Sequence, residues 1–158
     1  DFSWGCSNID KLISKYNLSD YILLFPFCSE HLEQKRWPYY DQLIKLIKQN
    51  HPNLKIAIAP GPGEIEKAKK LDAVSILKED KAISISELAG LIKKSRFVVS
   101  NDTGPAHMAA HMNVKGLSLF GSHTTAYKVS IERENFKVIQ VSDLKNLSAE
   151  KVFERLVF

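Results

Sequence analysis

The chain has 158 residues, 44% hydrophobic and 25% charged, which suits one globular domain with a real core and excludes a disordered or low-complexity protein. Its net charge of +4, from 22 basic and 18 acidic residues, is spread over scattered helix lysines with no basic run. That balance fits a small anionic ligand or an anionic membrane surface and gives no reason to expect nucleic acid. Two cysteines, Cys6 and Cys28, are too few for a disulfide framework, and no stretch approaches the ~20 apolar residues of a spanning helix. Because the chain begins at Asp1 rather than Met, a piece of a longer protein is the expected status.

In chain order, residues 8–17 place Ile9, Leu12, Ile13 and Tyr16 at helical spacing and read as a short connector helix within residues 1–19. The domain proper is expected over residues 20–158. Residues 21–25 (YILLF) are an apolar run of strand length ended by Pro26. Residues 38–50 read as a helix, with Pro38 in its first turn and Leu43, Ile44 and Ile47 on one face. A second strand over residues 54–59 leads into Pro60-Gly61-Pro62-Gly63 and a helix over residues 64–71. A short strand follows at residues 74–77, then a helix over residues 86–94 with Ser84 or Ser86 as its cap. Residues 97–100 are a fourth strand, 105–112 a helix, 116–120 a fifth strand, 137–141 a sixth, and 148–156 a closing helix.

Strands and helices alternate throughout, and the strands are short and nearly all apolar, as in a sheet covered on both faces. The expected fold is an open, doubly wound, mainly parallel α/β sheet of Rossmann type. Ligands of such sheets bind beyond the C-terminal strand ends, here the loops at residues 26–37, 60–64, 100–105 and 120–126.

The strongest chemical signal is Ser100-Asn101-Asp102-Thr103-Gly104-Pro105-Ala106-His107, a buried strand running through a tight turn into a helix. Asp102 or Thr103 can cap that helix, Gly104 permits close approach, and Pro105 presets the first turn. The positive helix end, the Thr103 hydroxyl and His107 together describe a phosphate or pyrophosphate site, although a well-capped helix with a surface histidine has the same sequence. A second signal is Gln34-Lys35-Arg36-Trp37-Pro38, whose adjacent cations can meet phosphate oxygens while Trp37 packs under the loop. A third is Gly61-Pro62-Gly63-Glu64, where glycines admit a ligand and Glu64 can accept hydrogen bonds from ribose hydroxyls. It is not a dinucleotide fingerprint, and a plain turn before a helix reads the same way. His107 and His111 lie four apart without a third ligand, so no metal site is expected. His123, with Thr124 and Thr125, sits in the loop after the fifth strand, more in the manner of an exposed loop histidine than of a ligand contact.

These residues resemble glycosyltransferase family 9, the ADP-heptose:lipopolysaccharide heptosyltransferases. Asn101 to Ala110 is similar to the family's D-T-G-x-x-H signature, Lys35-Arg36-Trp37-Pro38 to its K-R-W-P element after a strand ending near Ser29, and Glu64 stands where the family has a ribose-binding glutamate. The resemblance covers residues 20–157. It implies the C-terminal half of a two-domain GT-B enzyme, which holds an ADP-sugar donor. Lys35 would face the phosphates, Glu64 the ribose and Asp102 the sugar hydroxyls, with Thr103, Gly104 and His107 at the pyrophosphate. The implied reaction is an inverting, metal-independent heptosyl transfer to the lipopolysaccharide core. Its acceptor site and general base would lie in an N-terminal domain, so this chain alone is expected to be inactive, and the whole enzyme to be cytoplasmic at the inner-membrane face. No cofactor is implied beyond the donor substrate. The chain departs from the pattern at Phe25-Pro26-Phe27-Cys28-Ser29, which lacks the glycine-rich turn, and at Gly121-Ser122-His123-Thr124-Thr125, which lacks a following proline. Both touch the donor pocket and leave the sugar open. Two alternatives stand beside this reading: a non-catalytic nucleotide-binding module, and an enzyme acting on another nucleotide sugar or phosphorylated metabolite.

Overall fold

The computed structural model describes residues 9–28, 35–122 and 130–158. Six strands form one sheet: β1 (Tyr21–Phe25), β2 (Lys55–Ile58), β3 (Val74–Ser75), β4 (Phe97–Asn101), β5 (Gly116–Phe120) and β6 (Phe136–Gln140). Their order is β3-β2-β1-β4-β5-β6, and every neighbouring pair is parallel. This is the doubly wound α/β arrangement the strand–helix alternation predicts.

The period of two along each strand divides the core into two layers. Ile22 and Leu24 of β1 face α2 (Tyr40–Asn50), α3 (Ile65–Ala68) and the closing helix α6 (Ala149–Glu154). Leu23 and Phe25 face α1 (Asp10–Tyr16), α4 (Ile85–Lys94) and α5 (Gly104–His111). Both faces are therefore covered, which is why β1, β4 and β5 are buried at every position and read as apolar runs. The expected connector helix, α1, adds Leu12 to the second layer, as does Ile9 just before it, and its Asp10 pairs with Lys94 of α4 at 3.1 Å.

Local chemistry sets the helix ends. Of the two candidate caps for α4, Ser84 serves: its hydroxyl accepts from the Glu87 N–H and the Glu87 carboxylate accepts from the Ser84 N–H. That backbone N–H, ahead of the Lys78 ammonium, holds the Glu87 carboxyl below its ordinary range. The helix expected over residues 64–71 is shorter, because after Ala68 the chain tightens into i to i+3 bonds, Lys70 to Lys67 and Leu71 to Ala68. Residues 78–81 form a turn with both central residues, Glu79 and Asp80, in the left-handed region at φ 53° and 63°. It presents residues 82–85 toward the C-terminal edge of the sheet.

One contact constrains the β4–β5–β6 edge. A Cβ added at Gly116 would lie 2.5 Å from the Phe136 ring and 2.9 Å from the Val98 carbonyl oxygen. We predict that Gly116→Ala costs about 1–3 kcal/mol, as overpacking of a filled core does. Chemical denaturation checks this; an unchanged midpoint would show that the sheet yields freely here.

Candidate functional site

Successive crossovers cover opposite faces on either side of the β1–β4 pair: β1 leads into α2 on one layer, β4 into α5 on the other. The chains leaving these two strands diverge and open a cleft, as switch points do. The cleft holds about 750 Å³ and is lined by Lys35, Glu64, Asp102, Thr103 and Gly104 among others. Three loops distant in sequence are thus brought to one wall.

Asp102 leaves the end of β4 and is 7% exposed at its side chain. Lys35 Nζ lies 3.6 Å from its Oδ2, and His107 Nε2 lies 3.8 Å from its Oδ1. The carboxylate therefore stands between two basic groups, one on the cleft wall and one on the first turn of α5. Thr103 is the residue before α5, yet its hydroxyl makes no capping bond and is buried with no hydrogen-bond partner among the described residues. The N–H groups of Ala106 and His107 already donate to the Thr103 carbonyl, at 3.1 and 3.3 Å, and Pro105 has none. An anion arriving at this helix end would thus depend on the Thr103 hydroxyl and on Lys35 more than on a full set of backbone donors. Around Gly104, a Cβ would meet nothing within 4 Å, so the glycine opens onto free space.

Glu64 precedes α3, and its Oε1 accepts the Gly61 N–H at 2.9 Å. That bond closes the Pro-Gly turn and fixes the carboxylate at the rim. Opposite it stands an apolar wall of Ile83, Ile85 and Leu88. Ile85 is 76% exposed and lies beside the half-buried Ile83 and Leu88. The sequence reading passed over this wall; its only signal was an isoleucine at the exposed first turn of α4.

The two adjacent cations expected to act together part company. Lys35 enters the cleft, whereas Arg36 stacks over the Phe27 ring at 5.3 Å and lines a separate groove with Trp37 and Tyr40. Between them and the sheet, Trp37 is 1% exposed and donates its indole N–H to the Leu147 carbonyl at 2.7 Å. Cys6, Ser29, Gln34, His123, Thr124 and Thr125 lie outside the described residues. Among the described residues no group of three His, Cys, Asp or Glu side chains is placed to hold a metal ion. Also among them, no helix is long and apolar enough to cross a membrane.

Comparison with known proteins agrees with this architecture. The chain is 30% identical over 100 residues to lipopolysaccharide heptosyltransferase 1 of Campylobacter coli, a match covering 58% of this chain and 29% of that protein. E. coli heptosyltransferase WaaC with ADP superposes at a TM-score of 0.74 and 24% identity, over 87% of this chain and 43% of that one. E. coli ADP-heptose lps heptosyltransferase II gives 0.73 at 18% identity, over 91% and 48%. The chain thus spans less than half the length of these relatives. The family model of glycosyltransferase family 9 (heptosyltransferase) matches residues 7–156, beginning ahead of the expected residue 20 so that α1 is included. By that match the chain belongs to glycosyltransferase family 9.

Proposed function

We propose that this chain is the donor-binding half of an inverting heptosyltransferase, with ADP-heptose as its nucleotide sugar and the lipopolysaccharide core as the acceptor of the whole enzyme. The observation that carries the reading is the convergence of Lys35, Glu64, Asp102, Thr103 and Gly104 on one cleft at the β1–β4 switch point. Each group matches one part of such a donor. The pyrophosphate lies against Lys35 and the buried Thr103 hydroxyl, over the open surface left by Gly104. Ribose hydroxyls donate to Glu64, and the planar base lies along Ile83, Ile85 and Leu88. Asp102 accepts from sugar hydroxyls, with His107 behind it at 3.8 Å.

Charge complementarity supports the same arrangement. A nearly buried carboxylate between Lys35 and His107 orients both groups. When the pyrophosphate enters, it competes with Asp102 for Lys35, and Asp102 is released toward the sugar. The Lys35 ammonium takes the part that a divalent ion plays in metal-dependent transferases, so donor binding needs no metal. The acceptor and the general base belong to a second α/β half, and the assembled enzyme works at the cytoplasmic face of the inner membrane.

Calorimetry with ADP-heptose tests the proposal. Binding that survives EDTA, with no heptosyl transfer by this chain alone, is the expected result. Strict dependence on a divalent cation, or no binding at all, would remove the reading in favour of another donor class or a module without this ligand.

Glu64→Gln keeps an oxygen for the Gly61 N–H and removes only the charge. It should weaken ADP by about 1–2 kcal/mol, the difference between charge-assisted and neutral hydrogen bonds, and leave inorganic pyrophosphate unaffected. Equal losses for the two ligands would take Glu64 away from the ribose.

Asp102→Asn should lower affinity for the intact ADP-sugar and leave ADP unchanged or slightly tighter. The gain arises because a carboxylate close to a pyrophosphate repels it and holds Lys35 in competition. Melting temperature and both affinities on the one variant are the measurement; an unchanged affinity for the sugar nucleotide excludes Asp102 from the donor site.

A further inference from the structure

The functional groups of the cleft are held by a side chain that does not line it. Asn101 is the last residue of β4 and is fully buried. Its Oδ1 accepts two hydrogen bonds from a segment more than sixty residues earlier: the Trp37 backbone N–H at 3.3 Å and the Tyr40 hydroxyl at 3.2 Å. Its own backbone carbonyl accepts from Ser118 Oγ of β5 at 3.1 Å, which fixes the peptide from the other side. The Asn101 Nδ2 is buried with no hydrogen-bond partner among the described residues, where the oxygen is the part of the amide that is used.

Both donors are themselves fixed. Trp37 is anchored by its indole bond to Leu147 and lies edge-on to Tyr40 with ring centroids 5.0 Å apart. Burial, and after it the nearby Cys28 thiol, pushes the Tyr40 phenol well above its ordinary value, so its hydroxyl stays a donor. Lys35 is two residues before Trp37, and Asp102 is the residue after Asn101. A single amide oxygen therefore joins the two backbone segments that carry the Lys35–Asp102 pair, whose charged atoms stand 3.6 Å apart.

We propose that Asn101 is a positioning residue for the donor cleft: its side-chain carbonyl ties the segment bearing Lys35 to the strand end bearing Asp102, and so sets where the phosphate-binding cation stands. This rests on the donor-binding reading given above. Asn101 touches no ligand in this account. It acts through Lys35, and its contribution appears only for ligands that carry phosphate.

The test is a double-mutant cycle read by titration with ADP and with adenosine. Asn101→Ala removes both hydrogen bonds and should weaken ADP about three- to tenfold, since their loss is felt only through Lys35, and change adenosine less than twofold. In a Lys35→Ala background the same substitution should weaken ADP less than twofold, because the group it positions is gone. Amide exchange at Trp37, followed by NMR, should lose protection in Asn101→Ala. Should that variant fold poorly, Tyr40→Phe removes one of the two donors and is expected to show the same pattern at about two- to threefold.

Equal weakening of ADP and adenosine would mean a general structural role and overturn the proposal. So would a loss of ADP affinity undiminished by Lys35→Ala, or unchanged ADP affinity once Trp37 is deprotected. If the unsubstituted chain bound no ADP, the donor reading would fall by itself. The Trp37 exchange, which needs no ligand, would then still decide whether Asn101 holds the segment: protection retained in Asn101→Ala overturns it.

Discussion

Parallel pairing is the constraint from which the rest follows. Six parallel strands put all their C-terminal ends on one edge, and each connection must return across a face of the sheet. Because the connection after β1 covers one face and that after β4 covers the other, the two strands in the middle of the sheet cannot share a loop layer. The space between their departing chains is a product of topology before any side chain is chosen. Sequence then determines what that space can bind, through the residues placed at the strand ends.

The electrostatics of those strand ends follow a consistent pattern. A carboxylate as buried as Asp102 is costly unless paired, and it has Lys35 on one side and His107 on the other. Neither contact is a short hydrogen bond; at 3.6 and 3.8 Å they are loose pairs that a better partner can displace. Beside them the hydroxyl of Thr103 is buried, with no hydrogen-bond partner among the described residues. The Lys35–Asp102 contact at 3.6 Å is looser than the ion pair between Arg96 and Asp20 at 2.8 Å.

Much of this was legible in the sequence wherever the physics is local. Apolar runs such as YILLF declare strands buried on both faces, and a serine at 84 or 86 declares a helix start, Ser84 being the one that caps it. The three motifs lie at strand ends because strand lengths and turn residues put them there. Two kinds of feature were hidden. The shortness of α3 depends on how the chain relaxes after Ala68, which propensity does not encode. The buried acceptor role of Asn101 depends on Trp37 and Tyr40, more than sixty residues away, and the separation of Lys35 from Arg36 depends on which neighbour each side chain finds, Asp102 for one and the Phe27 ring for the other; neither has a local signature. Asn101 lies inside the Ser100–His107 motif without announcing its role, because a polar residue ending a strand usually meets water.

The indole bond of Trp37 to Leu147 spans 110 positions of the chain. It makes the site less modular than its motifs. Lys35, Glu64 and Asp102 all occur before residue 108, and on paper that stretch carries every recognisable element. In three dimensions the first of those elements is anchored by a turn that follows β6, and the last is supported by Ser118 on β5. The motifs can be excerpted from the sequence, but the cleft cannot be excerpted from the sheet.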